Sequence, residues 1–126
     1  MVSYVLDASA VLAVLNGERG AQKVEAVLSQ SGMSAVNLAE VHGKLAEHGL
    51  SAQERTQIFD SLGIEVYPMD EALAVLVGEL RLNTRHLGLS LGDRSCLALA
   101  QFLQATAVTA DQAWTSLKFC PVECIR

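Results

Sequence analysis

Short apolar runs and stretches of helical apolar spacing alternate along the whole chain. Tyr4-Val5-Leu6 is a continuous apolar run closed by the acid Asp7, the pattern of a strand buried on both faces of a parallel sheet. Ser9 then caps a short apolar helix over residues 10–15, which Asn16-Gly17 stops. A second helix is expected over residues 20–29, with Val24, Val27 and Leu28 as its buried stripe. Residues 33–36 read as a second strand. Asn37-Leu38-Ala39-Glu40 reads as a capping box that opens a helix over residues 37–48. A helix over residues 52–62 follows, then a strand over residues 64–67, placed at a sheet edge because Pro68 halts pairing. Asp70 caps the longest helix, residues 71–85, on whose last turns Arg81 and Arg85 stand one above the other. A loop with two glycines leads to Asp93, which opens a helix over residues 93–104 that is apolar almost all round. Residues 105–109 form a fourth strand, again followed by an acid, Asp111. Trp114 and Leu117 sit on a helical turn before a last edge strand over residues 121–125.

This alternation predicts an α/β fold: a three-layer α/β/α sandwich around a central, mostly parallel sheet of four to five strands. With the first strand in the middle of the sheet, the crevice at the topological switch point lies beside Asp7. The chain reads as one domain over residues 1–126, with no linker, repeat or low-complexity segment. Asp7 interrupts the N-terminal apolar stretch, so no signal peptide or membrane span is expected and the location is read as cytoplasmic.

Three cysteines, an odd number, suit a reducing compartment. Cys96 falls in an apolar helical pattern and reads as core. Cys120 and Cys124 on an extended strand would be about 13 Å apart, beyond disulfide reach. His42, His48 and His86 match no metal-ligand spacing. The net charge of −5 is unlike the basic footprint of most nucleic-acid binders. Setting aside the charges of Asp7, Glu40, Asp93 and Asp111 leaves only −1 for the rest, so the objection weakens. Arg81, Arg85, His86 and Arg94, with Lys118 further on, are available to a phosphate chain.

Each of the four acids has a bland explanation: Asp7 and Asp111 as caps, Glu40 as the far half of a capping box, Asp93 as a partner of the helix dipole. Yet all four fall just after a strand or at the crevice end of a helix, where Glu18, Glu25, Glu47, Glu54 and Glu79 do not. Four carboxylates in one crevice repel one another unless a cation joins them. Oxygen ligands without nitrogen or sulfur select Mg²⁺ or Mn²⁺, which activate water and neutralise charge on a phosphodiester.

Val5-Leu6-Asp7-Ala8-Ser9-Ala10, Asn37-Leu38-Ala39-Glu40-Val41, Leu89-Ser90-Leu91-Gly92-Asp93 with Cys96-Leu97-Ala98-Leu99-Ala100, and Val108-Thr109-Ala110-Asp111 together resemble a PIN-domain ribonuclease, specifically a VapC-type toxin of a toxin-antitoxin pair. The resemblance covers essentially the whole chain. It implies Mg²⁺- or Mn²⁺-dependent endoribonuclease activity, a homodimer, and a small antitoxin that blocks the site. By the same resemblance, Asp7, Glu40 and Asp93 match the three core acids and Asp111 the more variable fourth, while Ser9 and Thr109 match supporting hydroxyls. Two other readings stay open on the residues alone. A phosphotransfer or phosphatase α/β domain also places an acid after the first strand, though this chain has Ser9 where such a phosphatase has a second Asp. A non-catalytic binding module would use the acids only as caps. An antitoxin is expected to insert a basic side chain among the acids and to pack against apolar surface left on the early helices.

Overall fold

The computed structural model describes residues 1–126. Five parallel strands form one sheet: β1 (Tyr4–Leu6), β2 (Ser31–Ser34), β3 (Glu65–Tyr67), β4 (Thr106–Thr109) and β5 (Val122–Cys124). Their order is β3-β2-β1-β4-β5, so β1 is central and β3 and β5 are the edges. Chain direction across the sheet reverses beside β1, which puts the switch point between β1 and β4. A receiver domain has the order 2-1-3-4-5. That half of the phosphotransfer alternative does not match this sheet.

Six helices cover the two faces. They are α1 (Ala8–Asn16), α2 (Ala21–Glu25), α3 (Ala35–Glu47), α4 (Ala52–Asp60), α5 (Glu71–Asn83) and α6 (Leu91–Leu103). The period of two along a strand sends neighbouring side chains to opposite faces. Val5 and Ala107 accordingly join α5, α6 and Trp114 in one core, while Leu6 and Val108 join α1 to α4 in the other. Both cores are closed to solvent at their centres, where Val5, Leu6, Met33, Leu97 and Trp114 expose nothing. Burying a side chain such as Leu6 completely contributes about 1.5–3 kcal/mol.

Several element starts differ from the sequence expectation. Asp7, not Ser9, is the N-cap of α1, its carboxylate accepting from the Ala10 amide. The expected helix over residues 20–29 breaks into α2 and a 3-10 turn, Leu28–Gln30. The second strand lies at Ser31–Ser34, two residues before its expected start, and Ser34 caps α3, so Asn37 is the third residue of that helix and not its cap. Ser90 caps α6 and Asp93 is its capping-box partner. Helix α5 ends at Asn83, leaving Arg85 on a separate 3-10 turn, Arg85–Leu87.

The early helices also leave less apolar surface than expected. Leu12, Val14, Leu15, Ile58 and Leu62 are half-buried, and the exposed large apolar side chains are instead Val75 and Leu82 on α5, Leu91 and Phe102 on α6, Val66 on β3, and Met1. No helix is long and apolar enough to cross a membrane.

Candidate active site

Asp7 leaves the C-terminal end of β1 at the switch point, and the residue is only 5% exposed. Its Oδ1 accepts from the Ser9 hydroxyl at 2.7 Å and the Ala10 amide at 2.8 Å. Its Oδ2 accepts from the Thr109 hydroxyl at 2.6 Å. An ionised carboxylate offers about four lone-pair positions. Three are used, so the fixed carboxylate keeps one for a ligand. Burial pushes the Asp7 pKa above the usual 3.8; the three hydrogen bonds pull it back, and the charge of Asp93 adds to the rise. Capping and site chemistry are therefore compatible in one side chain.

The same two hydroxyls tie the end of β4 to Asp7. Ser9 Oγ accepts from the Ala110 amide at 3.0 Å, and Thr109 Oγ1 accepts from the Asp111 amide at 3.1 Å. Each hydroxyl thus donates to the carboxylate and accepts from the β4 turn. Asp111 itself is exposed, and its Oδ1 caps the Ala113 amide at 2.9 Å. It stands at the rim, joined to Asp7 through Thr109.

Glu40 and Asp93 come to the crevice from α3 and α6. The Asn37 side chain, 1% exposed, donates from Nδ2 to Glu40 Oε1 at 2.9 Å and to the Gly92 carbonyl at 3.0 Å, while its Oδ1 accepts from Ser34 Oγ at 2.8 Å. Glu40 is thus aimed by the Asn37 side chain and does not reach back to a backbone amide. Gly92 is needed for this approach: a Cβ there would lie 2.7 Å from both Cδ and Oε2 of Glu40. Asp93 Oδ2 accepts from the Ser90 amide at 2.9 Å, completing its capping box. Beneath the acids, Cys96 points its thiol at the Val5 carbonyl, 3.6 Å away. Its pKa is pushed well up, by burial foremost and then by the nearby Asp7, Cys120, Asp93 and Glu40. Glu40 thus lies against the residue that precedes Asp93, and the charge of Asp93 acts on Asp7, while Asp111 stays at the rim.

The acids have no cationic partner, because the two ion pairs of the chain, Lys44 with Glu47 and Arg126 with Glu18, use other residues. As the side chains stand, no three His, Cys, Asp or Glu residues converge closely enough to hold a metal ion. In donor type and charge the set fits a hard divalent cation, which commonly keeps several waters and few direct carboxylate bonds. All three cysteines are free thiols.

Sequence reasoning missed Asn37 and Gly92 as positioning residues, having placed Asn37 at a cap and Gly92 in a loop. Arg94, read from the sequence as available to a phosphate chain, is buried, with Nη1 donating to the Val77 carbonyl at 3.0 Å. Arg81 and Arg85 are exposed.

A family model described as the PIN domain matches residues 4–119. The chain belongs to the PIN-domain family. Solved structures with this fold include a toxin-antitoxin complex from Klebsiella pneumoniae, 20% identical over 98% of each chain with a TM-score of 0.80. VapBC2 from Rickettsia felis, bound to a DNA fragment from its promoter, is 20% identical over 98% of each chain with a TM-score of 0.74. VapBC-5 from Mycobacterium tuberculosis is 23% identical over 100% of this PIN domain and 99% of that chain, with a TM-score of 0.62. At these identities the likeness is one of fold. No curated protein matches the sequence.

Proposed function

We propose that this PIN domain is a divalent-metal-dependent endoribonuclease, the toxin of a toxin-antitoxin pair. The observation that carries the reading is the uncompensated set of Asp7, Glu40 and Asp93 at the switch point of a PIN fold, with no cation paired to any of them. Asp7, Glu40 and Asp93, with Asp111 at the rim, are the residues that would hold Mg²⁺ or Mn²⁺. When bound, such an ion supplies an activated water and charge neutralisation at the phosphodiester. The chain's own contribution is positioning. Ser9 and Thr109 fix the Asp7 carboxylate, Asn37 holds Glu40 against Gly92, and the Ser90 amide holds Asp93. RNA as substrate follows from the resemblance of the four motif segments to VapC-type ribonucleases.

The partner assignment is supported by neighbours that are toxin-antitoxin complexes. A small antitoxin that inserts a basic side chain among the acids, and a homodimer, belong to the same proposal. The test is cleavage of single-stranded RNA and DNA in Mg²⁺, Mn²⁺ or chelator. RNA cutting that needs the ion and disappears in Asp93→Asn is expected. Cutting that survives chelation, or is unchanged in that variant, overturns the assignment.

A further inference from the structure

A second polar site lies on the other side of the α6 entrance. A cavity of about 270 Å³ is lined by Arg81, Thr84, Arg85, Ser90, Leu91 and Arg94, with Gly88 and Leu89 at its loop side, and no acid lines it. Arg94 is the unusual member. It is 9% exposed, its Nε is buried without a hydrogen-bond partner, and it pairs with no carboxylate. It also stands in the first turns of α6, where the helix dipole disfavours a cation. A buried, unpaired guanidinium is costly to keep. The α5 C-terminus accounts for Arg81 as a dipole partner but leaves Arg94 unexplained. The larger cleft beside the C-terminus differs, since it mixes Glu18 and Glu25 with Arg19, Lys23 and Arg126.

We infer that this three-arginine cavity is an anion subsite that takes a phosphate of the bound RNA strand, next to the scissile position. The assignment rests on the nuclease reading of the neighbouring crevice. Asp93 and Arg94 are adjacent in sequence, about 3.8 Å apart at Cα, yet one belongs to the acidic crevice and the other to the cavity. The Ser90 amide that holds Asp93 belongs to a residue lining the cavity. A strand crossing the α6 entrance would therefore place neighbouring phosphates in a metal-binding crevice and in an arginine fork suited to phosphate.

The test uses the full chain carrying Asp7→Asn, in Mg²⁺, with a short fluorescent single-stranded RNA as probe. Arg81→Ala with Arg85→Ala removes the two exposed arginines without touching the core. Loss of one phosphate contact should lower the slope of log affinity against log salt by about 0.7. The Kd at low salt should rise about tenfold. Arg19→Ala with Lys23→Ala makes the same charge change elsewhere and should leave the slope in place. Arg94→Lys, which keeps the charge but loses the fork and its bond to the Val77 carbonyl, should weaken binding at temperatures where its unfolding curve shows it still folded. Equal slopes for the cavity and control doubles would overturn the proposal. Inorganic phosphate that protects against heat more than chloride of matched ionic strength, with no change in RNA slope, would mean a free-anion site and would also overturn it. If the slope falls as expected but the parent cuts no RNA in Mn²⁺, the subsite stands and the nuclease reading fails.

Discussion

Thr109→Val removes one hydroxyl and little volume from a side chain that is fully buried. The lost bond, 2.6 Å from Asp7 Oδ2, is to a charged acceptor. Such bonds contribute roughly 1.5–3 kcal/mol, against roughly 0.5–1.5 kcal/mol for neutral pairs. The variant also orphans the Asp111 amide. A loss of about 2 kcal/mol is expected, lowering the melting temperature of a chain this size by roughly 6–12 °C. Part of that loss must disappear when Asp7 is made neutral, because the bond then has no charge to serve. The assay is a double-mutant cycle with Asp7→Asn, measured by denaturant unfolding in chelator at neutral pH. A coupling of about 1 kcal/mol between the two sites is expected from the difference between charged and neutral bonds. Additivity to within about 0.3–0.5 kcal/mol would show that Thr109 does not hold the carboxylate in its ionised form.

The raised pKa of Asp7 gives a second outcome, with a definite sign. The folded state binds the Asp7 proton more readily than the unfolded state, so this group's contribution to stability is full below 3.8 and is lost as pH rises through its raised folded value. Asp7→Asn cannot lose it, so in chelator the melting temperature of the variant relative to the parent should climb over that window and level off above it. A relative melting temperature that falls with rising pH would refute the burial argument. Glu40→Gln keeps the acceptor for Asn37 and should leave the melting temperature nearly unchanged while RNA cleavage falls about 100-fold; an unaffected rate would return Glu40 to a purely structural role. Gly92→Ala should gain up to about 1 kcal/mol of helix propensity yet reduce cleavage by displacing Glu40, and a variant both as stable and as active as the parent would show that the close approach is dispensable.

The parallel sheet and the central place of β1 were legible because strands buried on both faces must be continuous apolar runs, as Tyr4-Val5-Leu6 and Ala107-Val108 are. The position of β2 was not. Ser31-Gly32-Met33-Ser34 has little strand propensity, and its burial comes from neighbours such as Tyr67, which lies where a Cβ on Gly32 would go. Missing that strand by two residues moved the start of α3 and made Asn37 look like a cap. That Asp7 and Asp111 follow β1 and β4 was legible, because each closes an apolar run. What each acid touches was not, since the Asn37 bridge to Gly92 joins residues 55 apart in sequence. The burial of Arg94 was hidden for a related reason: a charged residue in an apolar helix gives no sign in sequence of whether it points outward or into a neighbouring carbonyl such as Val77.

The hydroxyl clasp on Asp7 joins the beginning of the chain to its last third, with Thr109 lying 102 residues beyond the carboxylate it holds. During synthesis, β1, α1, β2 and α3 emerge first, carrying Asp7 and Glu40, but β1 then has an open flank where β4 will pair. Until residues 106–110 arrive, Asp7 lacks one of its three donors, and Ser9 lacks the amide that anchors it. Any part of the chain that ends before β4 therefore carries Asp7 and Glu40 without the clasp that fixes the first of them. On the proposed function, the crevice takes its final form only when the two ends of the chain have paired, so activity and completion of the central sheet arrive together.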